Sequence, residues 1–121
     1  MTTQTRTQRY AAMIFTKVQA VPTGQRKNYA AMAQKLPVLI RSAGLAQALA
    51  FVESRGEDED RLLLDHLADA IGMNTREQLL TQSRTASLTN YMRLTQQAMS
   101  ALLWFKRFAQ SVGTDKPGGQ K

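Results

Sequence analysis

The chain has 121 residues, with 16 Lys or Arg against nine Asp or Glu, and a formal net charge of +7. This length fits one domain with its own core, and the absence of Cys excludes disulfides, thiolate metal sites and a cysteine nucleophile. The positive excess indicates a polyanionic partner, either a nucleic acid or an anionic membrane.

The charges are unevenly distributed along the chain. No acidic residue occurs from Met1 to Val52, and seven of the nine acids fall between Glu53 and Asp69. Basic residues prevail again from Ala70 to Thr114. A fold that brought the two basic regions together would therefore have one basic and one acidic side.

Membrane segments are not expected. The N-terminus has no apolar signal core, and no apolar run approaches the roughly 20 residues that a membrane span requires. Together with the absence of Cys, this predicts a cytoplasmic protein with no membrane partner.

Apolar spacing predicts a helix at the start of the chain, ended by Pro22-Thr23-Gly24, with Thr23 as the cap of the next helix. Its inner stripe is Tyr10, Ile14, Phe15, Val18 and Val21.

The second helix has Tyr29, Met32, Ala33 and Leu36 on its inner face. Pro37 is predicted to stop it and to start a short third helix over residues 38–43, with Gly44 as a left-handed C-cap. Residues 45–54 are apolar on nearly every side, which predicts a central, buried helix.

Glu57 to Asp60 place four acids where the next helix begins, as the helix dipole favours. Its inner residues are Leu63, Leu64, Leu67 and Ile71, and Gly72 ends it. A capping box at Thr75–Gln78 opens a short helix to about Gln82. Ser87 opens the longest helix, whose predicted inner stripe is Leu88, Tyr91, Met92, Thr95, Met99, Leu102 and Phe105/Lys106.

These elements predict an all-α fold, a compact single-domain bundle of about six helices. Residues 1–112 are expected to form the helical domain. Residues 113–121, with Pro117-Gly118-Gly119, are expected to form a disordered, flexible tail.

Catalytic candidates are few. His66 is the only His, so it has no His or Cys partner for a zinc site, and neither a nucleophile elbow nor a glycine-rich phosphate loop is present. The acidic run at 57–60 lacks the ligand spacing of a calcium loop. We expect no catalytic residue, no metal and no cofactor, and hence no enzyme.

Basic residues recur at helical spacing and would meet phosphates along a nucleic-acid backbone. The alternative is that these are ordinary solvated faces, but the acid-free first 52 residues favour binding. Trp104 could stack on a base, although a single Trp in a bundle is more often a core residue. Three helical ridges, each a row of residues three or four positions apart, carry these bases. The first helix has Arg6, Arg9, Met13 and Lys17, and the second has Lys27 and Lys35 with Ala31 between them. The last helix has Arg93, Gln97, Ser100, Trp104 and Arg107.

Residues 67–80 offer a different interpretation, a helix-turn-helix for DNA with Arg76 in its second helix. Gln78 and Thr81 stand where such motifs usually have apolar residues. The preceding helix is also acidic, which is unfavourable beside a phosphate backbone. We rank this interpretation second.

Two segments resemble a known family. Residues 29–52 contain Tyr29, then Leu-Pro-Val-Leu-Ile, then Gly-Leu-Ala-Gln-Ala-Leu-Ala-Phe. Near the end, Tyr91 is followed by Trp-Phe-Lys-Arg-Phe-Ala within residues 98–109. In this order the motifs resemble the small subunit of the type III-B CRISPR effector, the Cmr complex. The match runs from about Arg6 to Ala109, without residues 56–86.

The resemblance implies a non-catalytic subunit that stacks along the effector filament in antiviral defence. Its implied partners are the guide RNA–target RNA duplex, the backbone and large subunits, and adjacent copies of itself. A protein–protein spacer is the remaining alternative. Arg41, Lys106 and Arg107 adjoin the shared motifs, and the other candidates come from the ridges. The predicted RNA-binding residues are Arg9, Lys17, Lys27, Lys35, Arg41, Lys106 and Arg107.

Overall fold

The computed structural model describes residues 5–113, which form six α-helices and one 3-10 turn. The all-α prediction is confirmed. Residues 1–4 and 114–121, and with them almost all of the predicted tail, lie outside the described part, while Gly113 ends the last helix. The helices are α1 (Arg6–Gln19), α2 (Arg26–Ala43), α3 (Leu45–Arg55), α4 (Asp58–Ala70), α5 (Arg76–Thr85) and α6 (Leu88–Gly113), and the 3-10 turn is Thr23–Gln25.

The largest helix interface joins α2 to α6, and these two helices run antiparallel. At one end, the backbone N–H of Ala46, just after α2, donates to the hydroxyl of Tyr91 near the start of α6 (3.1 Å). Toward the other end, Tyr29 of α2 hydrogen-bonds His66, whose ring stacks on Phe105 of α6.

Helix α1 lies beside α6 and runs parallel to it. Thr7 and Tyr10 of α1 line a groove with Arg93 and Gln97 from the first half of α6. One and a half turns later, the ring of Phe15 meets that of Phe108 near the end of α6, with centroids 5.1 Å apart. Helices α1, α2 and α6 therefore share one side of the bundle, while α3, α4 and α5 contact one another on the other.

The core is built from the apolar stripes that the sequence predicts for α1, α2 and α4. Ile14 and Val18 of α1 are buried, whereas Phe15, predicted in the same stripe, is 37% exposed. The four predicted inner residues of α2 are each at most 3% exposed, and Leu63, Leu64 and Leu67 of α4 are fully buried. These stripes place each helix in the bundle before any polar contact is considered.

Pro37 does not stop α2, which continues as one helix to Ala43. A proline inside a helix costs about 3 kcal/mol, because it removes one N–H donor and its ring meets the carbonyl four residues earlier. Here the residues before and after it (Leu36 and Ile40) are buried in the same core face. The continuous interface outweighs the local penalty, so the predicted separate helix over 38–43 is wrong.

Helix α3 is not buried all round, contrary to the prediction. Leu45, Ala48, Leu49 and Val52 face the core, but the side chain of Phe51 is 42% exposed. Because α3 lies at the edge of the bundle and contacts α2, α4 and α5, its opposite face is left uncovered within residues 5–113.

The predicted inner stripe of α6 is wrong in its first half. Leu88 is 74% exposed and Met92 is 57% exposed, whereas Leu102 and Phe105 are buried as predicted. The start of α6 has two apolar stripes, and helical periodicity does not decide which one packs. The buried stripe is Leu94, Ala98, Ala101, Leu102, Phe105 and Ala109.

Several predicted helix ends are confirmed. The hydroxyl of Thr75 accepts from the N–H of Gln78 (3.0 Å), although Gln78 bonds back to the N–H of Asn74 rather than of Thr75, and α5 continues past Gln82 to Thr85. Gly72 follows the end of α4 with φ of +90°. Thr23 does not cap α2, because it lies inside the 3-10 turn that leads directly into that helix.

Candidate nucleic-acid interface

The fold separates the charges of the chain onto two sides. Helices α1, α2 and α6 contain ten Lys or Arg and no Asp or Glu. Since α6 packs against both α1 and α2, the two basic regions of the sequence meet on one side of the bundle. Eight of the nine acids lie on or between α3, α4 and α5.

Most described ion pairs lie on the acidic side. The guanidinium of Arg76 bonds both carboxylate oxygens of Asp65 (3.0 and 3.1 Å) and lies 3.2 Å from Glu53 and 3.8 Å from Glu77. Arg55 donates to the buried carboxylate of Asp60 (2.7 Å), which raises the pKa of Arg55. The charge of these acids is thus partly compensated within their own side of the bundle.

The ridge predicted on α1 borders α4 rather than open solvent. Lys17 forms an ion pair with Asp69, and its side chain is only 17% exposed. Met13 packs against the core. Arg9 is exposed, and the side chain of Arg6 lies outside the described part.

Three predicted contact residues project from the outer face of α2. Lys27, Lys35 and Arg41 are exposed, and no ion pair of theirs occurs within residues 5–113. Lys35 also lines a cavity of about 250 Å³ together with Glu57 and Glu59. It therefore marks the border with the acidic side, whereas neither Lys27 nor Arg41 lines this cavity.

Helix α6 supplies the other candidates. Arg107 is exposed and Lys106 is half-buried. Because α2 and α6 are antiparallel, Lys27 lies toward the same end of the bundle as these two, and Arg41 lies toward the other end with Arg93. The 14 residues from Lys27 to Arg41 span about 21 Å of helix, enough for a row of phosphate contacts.

Arg26 has a structural role instead. Its guanidinium donates to the backbone carbonyls of Val21 (2.9 Å) and Gln19 (3.1 Å). These bonds close the connection from α1 to α2, so this base is removed from the contact surface.

His66 is half-buried between α2 and α6. Its Nδ1 lies 2.7 Å from the hydroxyl of Tyr29, and its ring stacks on Phe105 with centroids 6.4 Å apart. Burial, and then the charge of Lys17, lower the pKa of His66 to about 4, so the ring is neutral at physiological pH. Burial also raises the pKa of Tyr29. The pair acts as a satisfied interior contact.

Trp104 belongs to an aromatic cluster between α1 and α6. It is half-buried and stacks on Phe108 with centroids 5.5 Å apart, and Phe108 in turn meets Phe15. It packs against the core, as expected for a single Trp in a bundle.

The helix-turn-helix interpretation loses its main contact residue. Helices α4 and α5 do follow each other across a short turn, but Arg76, which opens α5, is surrounded by three carboxylates and its side chain is 18% exposed. An acidic environment at the start of the supposed recognition helix disfavours approach to phosphates.

The family model described as CRISPR-associated protein (Cas_Cmr5) matches residues 6–112. The chain belongs to this family. A curated relative, the CRISPR system Cmr subunit Cmr5 of Thermus thermophilus, is 44% identical over 110 residues, which cover 90% of this chain and 96% of the relative. The resemblance in residues 29–52 and 98–109 is thereby confirmed.

A solved structure supports the same assignment. The crystal structure of a CRISPR-associated Cmr5 family protein from Thermus thermophilus aligns with a TM-score of 0.83 at 44% identity. The alignment covers 90% of this Cmr5-family chain and 98% of the crystallised one. The whole bundle is therefore shared, including the acidic region that the motifs leave unaligned.

Membrane spans and metal clusters are both absent from residues 5–113. No helix there is long and apolar enough to cross a membrane. No group of three or more His, Cys, Asp or Glu in this range could hold a metal ion.

Proposed function

We propose that this Cmr5-family protein is a non-catalytic subunit of a cytoplasmic Cmr RNA-guided effector complex. In this complex its basic side, formed by α1, α2 and α6, contacts the sugar-phosphate backbone of the guide–target RNA duplex. The relative from Thermus thermophilus is named as a Cmr subunit and matches over almost its whole length. The other sides of the bundle are then available to the backbone and large subunits and to adjacent copies.

One observation carries the RNA part of the proposal. Most of the exposed bases without ion pairs in the described range lie on α2 and α6, two helices that contain no acid at all. Arg41 and Arg107 can each bind a phosphate through two hydrogen bonds. Guide pairing supplies sequence specificity, so contacts to phosphate and helix shape are what such a subunit needs.

The seven predicted RNA-binding residues differ in how accessible they are to a phosphate group. Lys27, Arg41 and Arg107 are exposed on acid-free helices, and Lys106 is half-buried beside Arg107. Lys17 would have to leave Asp69 before it could bind a phosphate. Lys35 lies at the border with the acidic side, and Arg9 belongs to α1. We therefore assign the main contacts to α2 and α6.

Recovery of the assembly is the first test. The tagged protein is isolated from its own cells, and the bound proteins and RNA are identified. Copurification of a guide-RNA effector at fixed stoichiometry is expected. Recovery of the protein alone, or with promoter DNA, would contradict the assignment and redirect attention to residues 67–80.

The RNA contact is tested by reversing charges within the assembled complex. Lys106→Glu with Arg107→Glu should weaken binding of target RNA and flatten its salt dependence by roughly one unit for each phosphate that the protein no longer binds. Arg61→Glu with Arg84→Glu changes the net charge equally on exposed residues of α4 and α5 and should leave both quantities unchanged.

Equal behaviour of the two double variants would remove the assigned role of α6. If variants that neutralise every base of α2 and α6 still assemble and protect RNA normally, the protein is a spacer between other subunits.

A further inference from the structure

A groove of about 570 Å³ lies between the first halves of α1 and α6, where the end of α4 forms its floor. Its size lies within the range of small-ligand sites. Its lining comes from three helices that are distant in sequence. The lining residues are Thr7, Tyr10, Ala70, Ile71, Gly72, Arg93, Gln96, Gln97 and Ser100.

The two walls of the groove differ in chemistry. On one side, the half-buried Tyr10 and Ile71 offer a ring and an aliphatic surface. On the other, Gln96 and Gln97 offer side-chain amides, each with donors and an acceptor. Arg93 is exposed, and no ion pair of its guanidinium occurs within residues 5–113.

This combination matches an unpaired nucleotide. A base presents a flat face, which stacks on aromatic side chains, and an edge with donors and acceptors that amides can bond. A neighbouring phosphate requires a cation, and no carboxylate lines the groove to repel it. A base inside a duplex could not reach Tyr10, because both of its faces are already stacked.

We infer that the groove between α1 and α6 binds one unpaired nucleotide of a single-stranded polynucleotide, with the base on Tyr10 and Ile71 and the phosphate on Arg93. This deepens the proposed function, because it adds a single-strand site to a surface otherwise assigned to the backbone of a duplex. Arg93 then becomes a binding residue, and Gln96 and Gln97 become base-edge contacts.

The test is NMR titration of the full chain with a tetrauridylate, and with tetra-thymidylate as the deoxy counterpart. We expect saturable shifts of the Ile71 methyl group and of the side-chain amides of Gln96 and Gln97. Arg93→Ala should weaken the affinity about tenfold, as for removal of a hydrogen bond to a charged group. Tyr10→Leu, which keeps apolar volume but removes the ring, should weaken it about fivefold or more.

Two further variants separate the groove from general charge effects. Arg84→Ala removes the same charge from an exposed position on α5 and should change the affinity less than twofold. Ser100→Tyr fills the groove without altering charge and should abolish the shifts. Thermal melting of each variant confirms that it is folded.

The outcomes distinguish this inference from the proposed function. The nucleotide site would be overturned if an equal concentration of inorganic phosphate displaced the tetranucleotide, or if the shifts were confined to residues outside the groove. This holds even if the RNA-guided complex is recovered from cells. Binding that depends on Arg93 and Tyr10 would support the site even if no such complex is recovered. Similar affinities for the two tetranucleotides support a site for either sugar, and a preference for one identifies the strand.

Discussion

Gly44 joins α2 to α3 with a backbone conformation that side chains rarely adopt. Its φ is +90° and its ψ is 160°, a region that is essentially restricted to glycine. A Cβ at this position would also lie 3.2 Å from the hydroxyl of Tyr91, which accepts the hydrogen bond of the Ala46 N–H. The glycine thus allows the corner and the contact that attaches it to α6.

Gly44→Ala should therefore lower the free energy of unfolding by about 3 kcal/mol, the sum of backbone strain and a weakened hydrogen bond. Urea denaturation measures the change. Gly72 has the same φ, but a Cβ there would meet no atom within 4 Å, so Gly72→Ala should cost less, about 1–2 kcal/mol. If Gly44→Ala lowers the free energy of unfolding by the same amount in the Tyr91→Phe variant as in the natural protein, the contact with Tyr91 contributes nothing to the cost of the substitution.

His66 is the residue that should make stability depend on pH. Its pKa is lowered to about 4 in the folded state by burial and by Lys17, with Asp69 opposing, against about 6.5 when unfolded. The other groups around the ring are the hydroxyl of Tyr29 and the uncharged ring of Phe105. Between these pH values the unfolded chain binds a proton that the folded chain does not.

The contribution of neutral His66 to the free energy of unfolding should accordingly be fully present above pH 6.5 and disappear as the pH falls toward 4. The full pKa shift corresponds to about 3 kcal/mol, and partial solvent access reduces the expected loss of stability to about 1–2 kcal/mol. Urea denaturation at several pH values measures it. His66→Gln, which cannot titrate, should lack this part of the pH dependence. If the unfolding free energies of the variant and the natural protein change in parallel with pH, other groups cause the dependence.

At the scale of elements, Arg76 links three helices. Its guanidinium lies among carboxylates of α3, α4 and α5. The Nε of Arg76 and the Oε1 of Glu53 are 3.2 Å apart, and both atoms are buried without a hydrogen bond. Removing the guanidinium leaves Glu53, Asp65 and Glu77 close together with no positive charge between them.

Arg76→Ala should therefore lower the free energy of unfolding by about 1–2 kcal/mol at neutral pH, because the half-buried Glu53 and the more exposed Asp65 and Glu77 lose the cation that they share. Arg84→Ala, on an exposed position of the same helix, should change it by less than about 0.5 kcal/mol. Chemical denaturation compares the two. At about 1 M NaCl the difference should shrink as salt screens the charges, and a difference independent of salt would point to the packing of the Arg76 stem instead.

The elements show where sequence periodicity suffices and where it does not. The stripes of α2 and α4 are single, so spacing alone identifies their buried faces, whereas on α1 the spacing also includes the exposed Phe15. The start of α6 has two apolar stripes, and only the packing of the whole bundle decides that Leu94 is buried and Met92 exposed. The effect of Pro37 is mispredicted from local sequence for a related reason. Its tendency to end a helix is outweighed by a tertiary interface, and no local pattern indicates that interface.

At the scale of the whole molecule, the two-sided charge distribution could be predicted because acids and bases are already segregated along the chain. The pairing of individual charges could not. Lys17 and Asp69 are 52 residues apart, and nothing in either sequence neighbourhood indicates that they meet. The groove beside Arg93 is likewise assembled from three separate helices, so its lining residues share no motif.

The same charge distribution should act on stability. Ten bases lie on three packed helices without an acid of their own, so their mutual repulsion opposes folding, and salt should relieve it as the screening length falls from about 30 Å at 0.01 M to about 3 Å at 1 M. We expect the melting temperature to rise with NaCl. The triple variant Lys27→Gln, Arg41→Gln and Arg107→Gln should be more stable than the natural protein at about 0.01 M and nearly equal to it at about 1 M.

A second variant tests whether position or only net charge matters. Arg61→Gln with Arg84→Gln removes exposed bases from α4 and α5, on the side that holds eight of the nine acids, so it should give no stabilisation at low salt. If both variants are stabilised in proportion to the charge removed, net charge alone governs folding. If only the triple variant is stabilised, and it binds target RNA more weakly in the complex, then the basic side reduces the stability of the isolated chain. Such a cost would be expected of a surface whose charge is compensated by RNA phosphates rather than by the protein itself.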